Sequence, residues 1–161
     1  MAKYIIIAEE NERELIDKLY EQLGLDLRDL PIILTGVGAI NVIRSLQDVD
    51  RDAELYNIGY AGSANFELGS WVEVIETRLN HPCVTYPEPE LELATLNVKG
   101  AHQAICYTST DFVLASDYKD CAFDMELAII ASMGFTRLHA FKYVSDNLSL
   151  HEYHDLTNGV E

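Results

Sequence analysis

The chain has 161 residues, 48% of them hydrophobic and 24% charged, a length that suits one domain able to bury a core without disulfides or a structural metal. Its 27 acidic residues against 11 basic ones leave a formal charge of -16, which repels polyanions and excludes nucleic acid and anionic membrane surfaces as natural partners in favour of a neutral or cationic small ligand. Cys83, Cys106 and Cys121 match no zinc spacing and read as reduced cysteines, and the first apolar run is too short for a bilayer or an export signal, so the expected location is the cytoplasm.

In chain order, "KYIIIA" (3–8) is a continuous apolar run of the kind a strand buried on both faces presents. "NERELIDKLYEQLG" follows with Leu15, Ile16, Leu19, Tyr20 and Leu23 at helical spacing, ended by Gly24. "PIILTG" (31–36) predicts a second buried strand, and "AINVIRSLQDV" (39–49) a helix with Ile40, Ile43 and Leu46 on one stripe. "ELYNIGYAG" predicts a third strand, and Trp71, Val72, Val74 and Ile75 a fourth, before Pro82, Pro87 and Pro89 mark a surface connection. "HQAICYTST" (102–110) and "RLHAFKYVS" (137–145) predict further strands. Between them "AFDMELAIIASMG" (122–134) reads as a buried helix, with Asp120 as its cap and Gly134 as its stop. The polar tail "LSLHEYHDLTNGVE" has room for one helical turn. Alternating strands and helices imply parallel pairing through right-handed crossovers, with helices on both faces of the sheet.

Three acidic stretches carry the chemistry. In a helix over 122–134, Glu126 stands one turn from Ala122, Phe123, Ile129 and Ile130, so its carboxylate emerges on an apolar face. Two readings stand: a ligand with two adjacent hydroxyls satisfies the ionised acid, or the acid meets an internal ion pair or an exposed edge. Asp124, two residues earlier, points to another face, nearer solvent. Ser145, Asp146 and Asn147 follow an apolar strand at the carboxyl edge where open α/β sheets bind ligands, which suits Asp146 either to general acid work or to forming a turn. Glu9, Glu10 and Glu12 follow the first strand at the same edge, where helix dipoles favour acids. "TGVGAIN" lacks the third glycine and the acidic partner of a dinucleotide site, no phosphate-binding GxxxxGK[ST] loop is present, and His151 and His154 form no recognised metal motif.

Taken in order, "IIIAEENE", "TGVGAIN", "NIGYAGS", "STDFV", "FDMELA" and "YVSDN" resemble the purine nucleoside phosphorylase and nucleosidase superfamily, most of all the methylthioadenosine/S-adenosylhomocysteine nucleosidases. The resemblance implies one α/β domain over residues 1–161, a three-layer α/β/α sandwich with a mostly parallel sheet. It implies hydrolysis of the N-glycosidic bond of a purine ribonucleoside or 5′-thio analogue, with no cofactor and no metal. By the same resemblance Glu126 grips the ribose 2′- and 3′-hydroxyls and Met125 packs under the sugar. Asp146, positioned by Ser145, protonates the departing base, and Glu12 activates the attacking water. Phe112 and Val113 meet the base, Ala61 and Gly62 line the sugar side, and Tyr60 stands where the family has a small serine. "AEENER" and Asn57 replace the phosphate-holding loop and arginine of the phosphorylases. Phosphorolysis and catalytically weak nucleoside binding are the alternatives. The family's dimers and hexamers imply a homo-oligomer, with the 79–96 connection offering apolar contact surface.

Overall fold

A computed structural model describes residues 2–80 and 89–157. Lys3–Ile7 (β1) leads through a 3₁₀ turn at Glu10–Arg13 into the helix Glu14–Leu23 (α1), which ends on Gly24 in the left-handed conformation at φ 77°. Ile32–Leu34 (β2), Ala39–Leu46 (α2) and the long strand Glu54–Gly62 (β3) follow. Trp71–Leu79 (β4), Leu91–Glu92 (β5), His102–Thr108 (β6), Cys121–Asp124 (β7), Leu127–Ser132 (α3), Arg137–Asp146 (β8) and Leu150–Thr157 (α4) complete the described chain. Cys83, Pro82 and Pro87 lie outside the described residues.

β1, β3 and β8 form a parallel centre whose alternating side chains separate two apolar clusters. Ile5, Ile7, Ile58 and Phe141 face Leu15, Ile16 and Leu19 of α1, whereas Ile6, Leu55 and Val144 share a cluster with Val42, Leu46, Leu127 and Ile130 of α2 and α3. This part has helices on both faces, as the alternation implies. The sheet as a whole departs from the expected open sandwich. β8 pairs antiparallel with β4, β4 parallel with β6, β6 parallel with β7, and β7 returns antiparallel to β3 at Gly62 and Phe123. The fold is mixed α/β with a closed, barrel-like core through β3, β8, β4, β6 and β7, while β2 and β5 remain as edge strands outside the ring.

Several local expectations are also corrected. β2 is a half-exposed edge strand beside β1, not a buried one. In α2 the buried positions are Val42 and Leu46, and Ile40 is 74% exposed. The 122–134 segment divides into a strand and a six-residue helix, because Cys121–Ala122–Phe123–Asp124 pairs with β6. A short apolar run has no periodicity to distinguish strand from helix, and the pairing partner decides. Asp120 therefore caps no helix; it exchanges hydrogen bonds with Asn65. Gly134, at φ 91°, does follow the end of α3. The tail forms an eight-residue helix where one turn was expected.

Candidate active site

A strand has two edges, and β8 occupies one edge of β3 along its whole length. The other edge is divided: Glu54–Asn57 pair with β1, and Gly62 pairs with β7. Between these contacts β1 and β7 diverge, and the fork opens into a cavity of about 220 Å³. Every site residue expected from the sequence lines it: Glu12, Tyr60, Ala61, Gly62, Phe112, Val113, Met125, Glu126, Ser145 and Asp146.

Glu12 fills the gap left in the ladder. Its Oε1 accepts hydrogen bonds from the Ala8 and Glu9 amides at 2.8 and 3.1 Å, and its Oε2 accepts one from the Tyr60 amide at 3.0 Å. The acid thus joins the end of β1 to the stretch of β3 that β1 no longer covers. A side chain at residue 59 would put its Cβ 2.7 Å from Glu12 Oε2, so a glycine is needed there. Burial raises the Glu12 pKa above the usual carboxylate range, against the opposing pull of Lys142 and the three amides.

Lys142 is a residue the sequence reading missed. It is 1% exposed, in the middle of β8, with Nζ 3.0 Å from Asp124 Oδ2. Desolvation disfavours its charge, but Asp124, Cys106, Glu126 and Glu12 more than reverse that effect and hold it protonated. Asp124 is accordingly not near solvent: it is 5% exposed, accepts from the Thr108 hydroxyl and from the Leu127 amide, and lines the cavity. The signal was a lysine inside the apolar run "LHAFKYVS", since a lysine is rarely fully buried without a partner.

Glu126 is 8% exposed and stands as the N-cap of α3, with its Oε2 accepting from the Gly38 amide at 3.1 Å, at the start of α2. Its expected setting on a helix face is replaced by the turn between β7 and α3. Burial and the neighbouring Asp124 raise its pKa, with Lys142 and the Gly38 amide acting in the opposite sense.

Asp146 ends β8 and is 1% exposed. Ser145 Oγ donates to its Oδ1 at 2.8 Å and the Leu148 amide to its Oδ2 at 2.9 Å. The second bond is the turn geometry that competed with the acid reading, so one side chain does both. Burial raises the Asp146 pKa despite these donors. Gly62 is again required by space, since a Cβ there would meet Asp146 Oδ2 at 2.9 Å.

The remaining wall is aromatic. Phe112 meets the ring of Tyr153 edge-on at 5.5 Å, and the Tyr153 hydroxyl donates to Glu9 Oε2 at 3.0 Å. Tyr153, from α4, closes one side of the cavity and was not singled out in the sequence, where its segment is polar. Tyr60 directs its hydroxyl to Glu14 Oε1 of α1 at 2.7 Å, which engages its bulk with the helix. Asn57 donates from Nδ2 to the Ile6 carbonyl and so ties β3 to β1. His151 faces Asp155 at 3.2 Å on α4, and among the described residues no cluster of three or more His, Cys, Asp or Glu is placed to hold a metal ion. Among the described residues, no helix is long and apolar enough to cross a membrane.

No protein-family model matches the chain, and no curated protein matches its sequence. Solved structures do match. The 5′-methylthioadenosine/S-adenosylhomocysteine nucleosidase of S. pneumoniae, held with a transition-state inhibitor, is similar at a TM-score of 0.74 and 19% identity, over 98% of this chain and 92% of that one. The Neisseria meningitidis nucleosidase bound to methylthio-immucillin-A matches at 0.74 and 18%, over 97% and 91%. The Colwellia psychrerythraea nucleosidase in complex with adenine matches at 0.73 and 20%, over 98% and 88%. The chain has the fold of these nucleosidases.

Proposed function

We propose that this protein is a nucleosidase that hydrolyses the N-glycosidic bond of a purine ribonucleoside or a 5′-thio analogue of the methylthioadenosine type. The observation that carries this reading is the convergence of Glu12, Glu126 and Asp146, distant along the chain, on one cavity. The fold shared with structures holding adenine and nucleoside-like inhibitors supports it.

We assign the roles by the family resemblance, and the environments support them. Glu126 accepts hydrogen bonds from the two ribose hydroxyls, with Met125 beside the sugar, and Phe112 and Val113 flank the base. Asp146, whose pKa burial raises, donates a proton to N7 of the purine as the bond from the base to C1′ breaks. The electron pair of that bond leaves with the base, and C1′ takes oxocarbenium character that the surrounding carboxylates stabilise. Water attacks C1′ and gives a proton to Glu12, whose raised pKa makes it a better base. Products are the free base and the free sugar, and the proton gained by Glu12 balances the one lost by Asp146.

Hydrolysis is favoured over phosphorolysis because none of the described residues lining the cavity is a lysine, arginine or histidine that would hold a phosphate. The test is release of free base from methylthioadenosine, S-adenosylhomocysteine, adenosine and inosine, each with and without phosphate. Release without phosphate is expected; strict phosphate dependence would reassign the protein as a phosphorylase, and binding without turnover as a nucleoside-binding module. Asp146→Asn is expected to bind substrate but to turn over about 10²-fold or more slowly. We also assign self-association to the exposed stripe Val37, Ile40 and Ile43, because Val37 lines the cavity and a second copy on this stripe would extend its wall. Sedimentation of the wild type against Ile40→Glu decides this point.

A further inference from the structure

Asp146 is gripped at two points. Ser145 Oγ donates to one oxygen, and the Leu148 amide donates to the other at 2.9 Å with Leu148 in the left-handed region at φ 64°. A bulky residue keeps that backbone only where its surroundings fix it. The fixing group is the neighbouring Asn147. Its Nδ2 carries two hydrogens and donates to two carbonyls, Ser63 at 2.9 Å and Phe66 at 2.8 Å. Its own amide donates to Glu152 Oε1 of α4 at 2.9 Å. Ser63 and Phe66 belong to the loop that leaves β3 just after Gly62, and the Ser63 amide donates to the Asp146 carbonyl at 3.1 Å. Asn147 thus braces the end of β8 against the loop after β3, although it is exposed and does not itself line the cavity.

We infer that Asn147 is a positioning residue for proton transfer: by fixing the turn at Leu148 it aims the Asp146 carboxyl at the departing base. The inference rests on the nucleosidase reading, in which Asp146 is the acid. Ser145 alone leaves the carboxyl free to swing about one oxygen, and the Leu148 amide supplies the second point. Burial raises the Asp146 pKa, and the Glu152 carboxylate adds to this, while Ser145 and the Leu148 and Ser149 amides lower it. Releasing the turn withdraws the two amides, which favour the ionised form, and so lifts the pKa further. Two classes of leaving group separate these effects from a general loosening of the fold. A purine takes the Asp146 proton at N7 as it accepts the electron pair of the C1′ bond, whereas 4-nitrophenolate leaves with that pair as a stable anion and takes no proton.

The experiment compares wild type and Asn147→Ala, with Asp146→Asn as reference, on a purine ribonucleoside that the wild type cleaves and on 4-nitrophenyl β-D-ribofuranoside. Asn147→Ala should lower kcat on the purine substrate by about 10-fold with KM and the nitrophenyl rate held within about 2-fold. Asp146→Asn should show the same split, enlarged. The alkaline limb of kcat on the purine should move to higher pH in Asn147→Ala, with Glu152 on α4 and Glu12 and Glu126 at the cavity as the other charged neighbours. An equal fall on both substrates, or a limb that does not move, would overturn the inference, while purine cleavage by the wild type leaves the nucleosidase reading standing. Where only the purine is cleaved, the limb decides. Should the wild type cleave no nucleoside, that reading fails, and the Asp146 carboxyl titration followed by ¹³C NMR decides the brace: an upward shift in Asn147→Ala upholds it and an unchanged titration overturns it.

Discussion

Two carboxylates in this molecule are buried alike and bonded alike, yet they stand in different settings. Glu73 in β4 is 1% exposed, and its oxygens accept from the backbone amides of Leu96, Asn97 and Val98 at 2.6, 3.2 and 2.8 Å. Glu12 is 6% exposed and also accepts from three backbone amides. The donors to Glu73 are consecutive, so that acid gathers one loop, and it does not line the cavity. The donors to Glu12 come from two diverging strands, and the acid stands between a cavity and the ammonium of Lys142. A buried carboxylate is therefore no sign of a site by itself; the sign is one held at a fork in the sheet, beside open volume and a charge that it must share.

The largest expected effect tests that contrast directly. Glu12→Gln removes the proposed base, so kcat should fall by about 10²–10⁴-fold, with a stability loss of about 1.5–3 kcal/mol because one oxygen that accepts from a backbone amide becomes a donor. Equal activity in the variant would place the chemistry elsewhere in the cavity. Lys142→Met should come next. It leaves Asp124 buried with no cation and is expected to destabilise the fold by about 3–5 kcal/mol, measured by denaturant unfolding. The double variant Lys142→Met with Asp124→Leu should regain part of that loss, because the carboxylate in direct contact with the lysine is then gone as well. A near-neutral single variant would mean that the lysine stem, and not its charge, matters to the barrel. Glu73→Gln should match Glu12→Gln in stability and part from it in kcat: here too one oxygen that met amide donors becomes a donor itself. Stability should drop by about 1.5–3 kcal/mol with kcat unchanged.

Much of the cavity was legible from sequence because its residues sit where strands end, and strand ends are marked by abrupt changes of composition: "IIIAEENE" and "KYVSDN" pass from apolar to polar within two residues. That β1, β3 and β8 pair in parallel was legible from the alternation of strands and helices, though their order was not. Ring closure was not, since β7 meets β3 at a single registered pair, Gly62 and Phe123, brought together from distant parts of the chain. The helix expected over 122–134 failed because burial on all sides removes the periodicity that separates a strand from a helix. Tyr153 escaped notice because α4 is short and weakly patterned, and only its docking against Glu9 and Phe112 gives the ring a role. Lys142 was visible as an anomaly in its strand, but its partners Asp124 and Glu12 are known only once the barrel has closed.

The smallest effect separates the two ends of the molecule by pH. At the cavity, burial raises the pKa values of Glu12, Glu126 and Asp146, so between the unfolded and folded values the native chain holds protons that the unfolded chain has shed. Stability from these groups is complete below the unfolded pKa values and declines as pH rises from about 4 through the folded values. At the far end of β3, Glu54 behaves in reverse: its contact with His139 at 2.9 Å lowers its pKa, and its contribution is lost as pH falls through the lowered value. Thermal midpoints should therefore decrease from mildly acidic to alkaline pH, and Glu126→Gln should flatten that decline, whereas Glu54→Gln should alter only the acid limb. A decline of unchanged slope in Glu126→Gln would show that this carboxylate is ionised throughout, held so by Lys142 and the Gly38 amide, and would leave Glu12 and Asp146 as the groups that take up the protons.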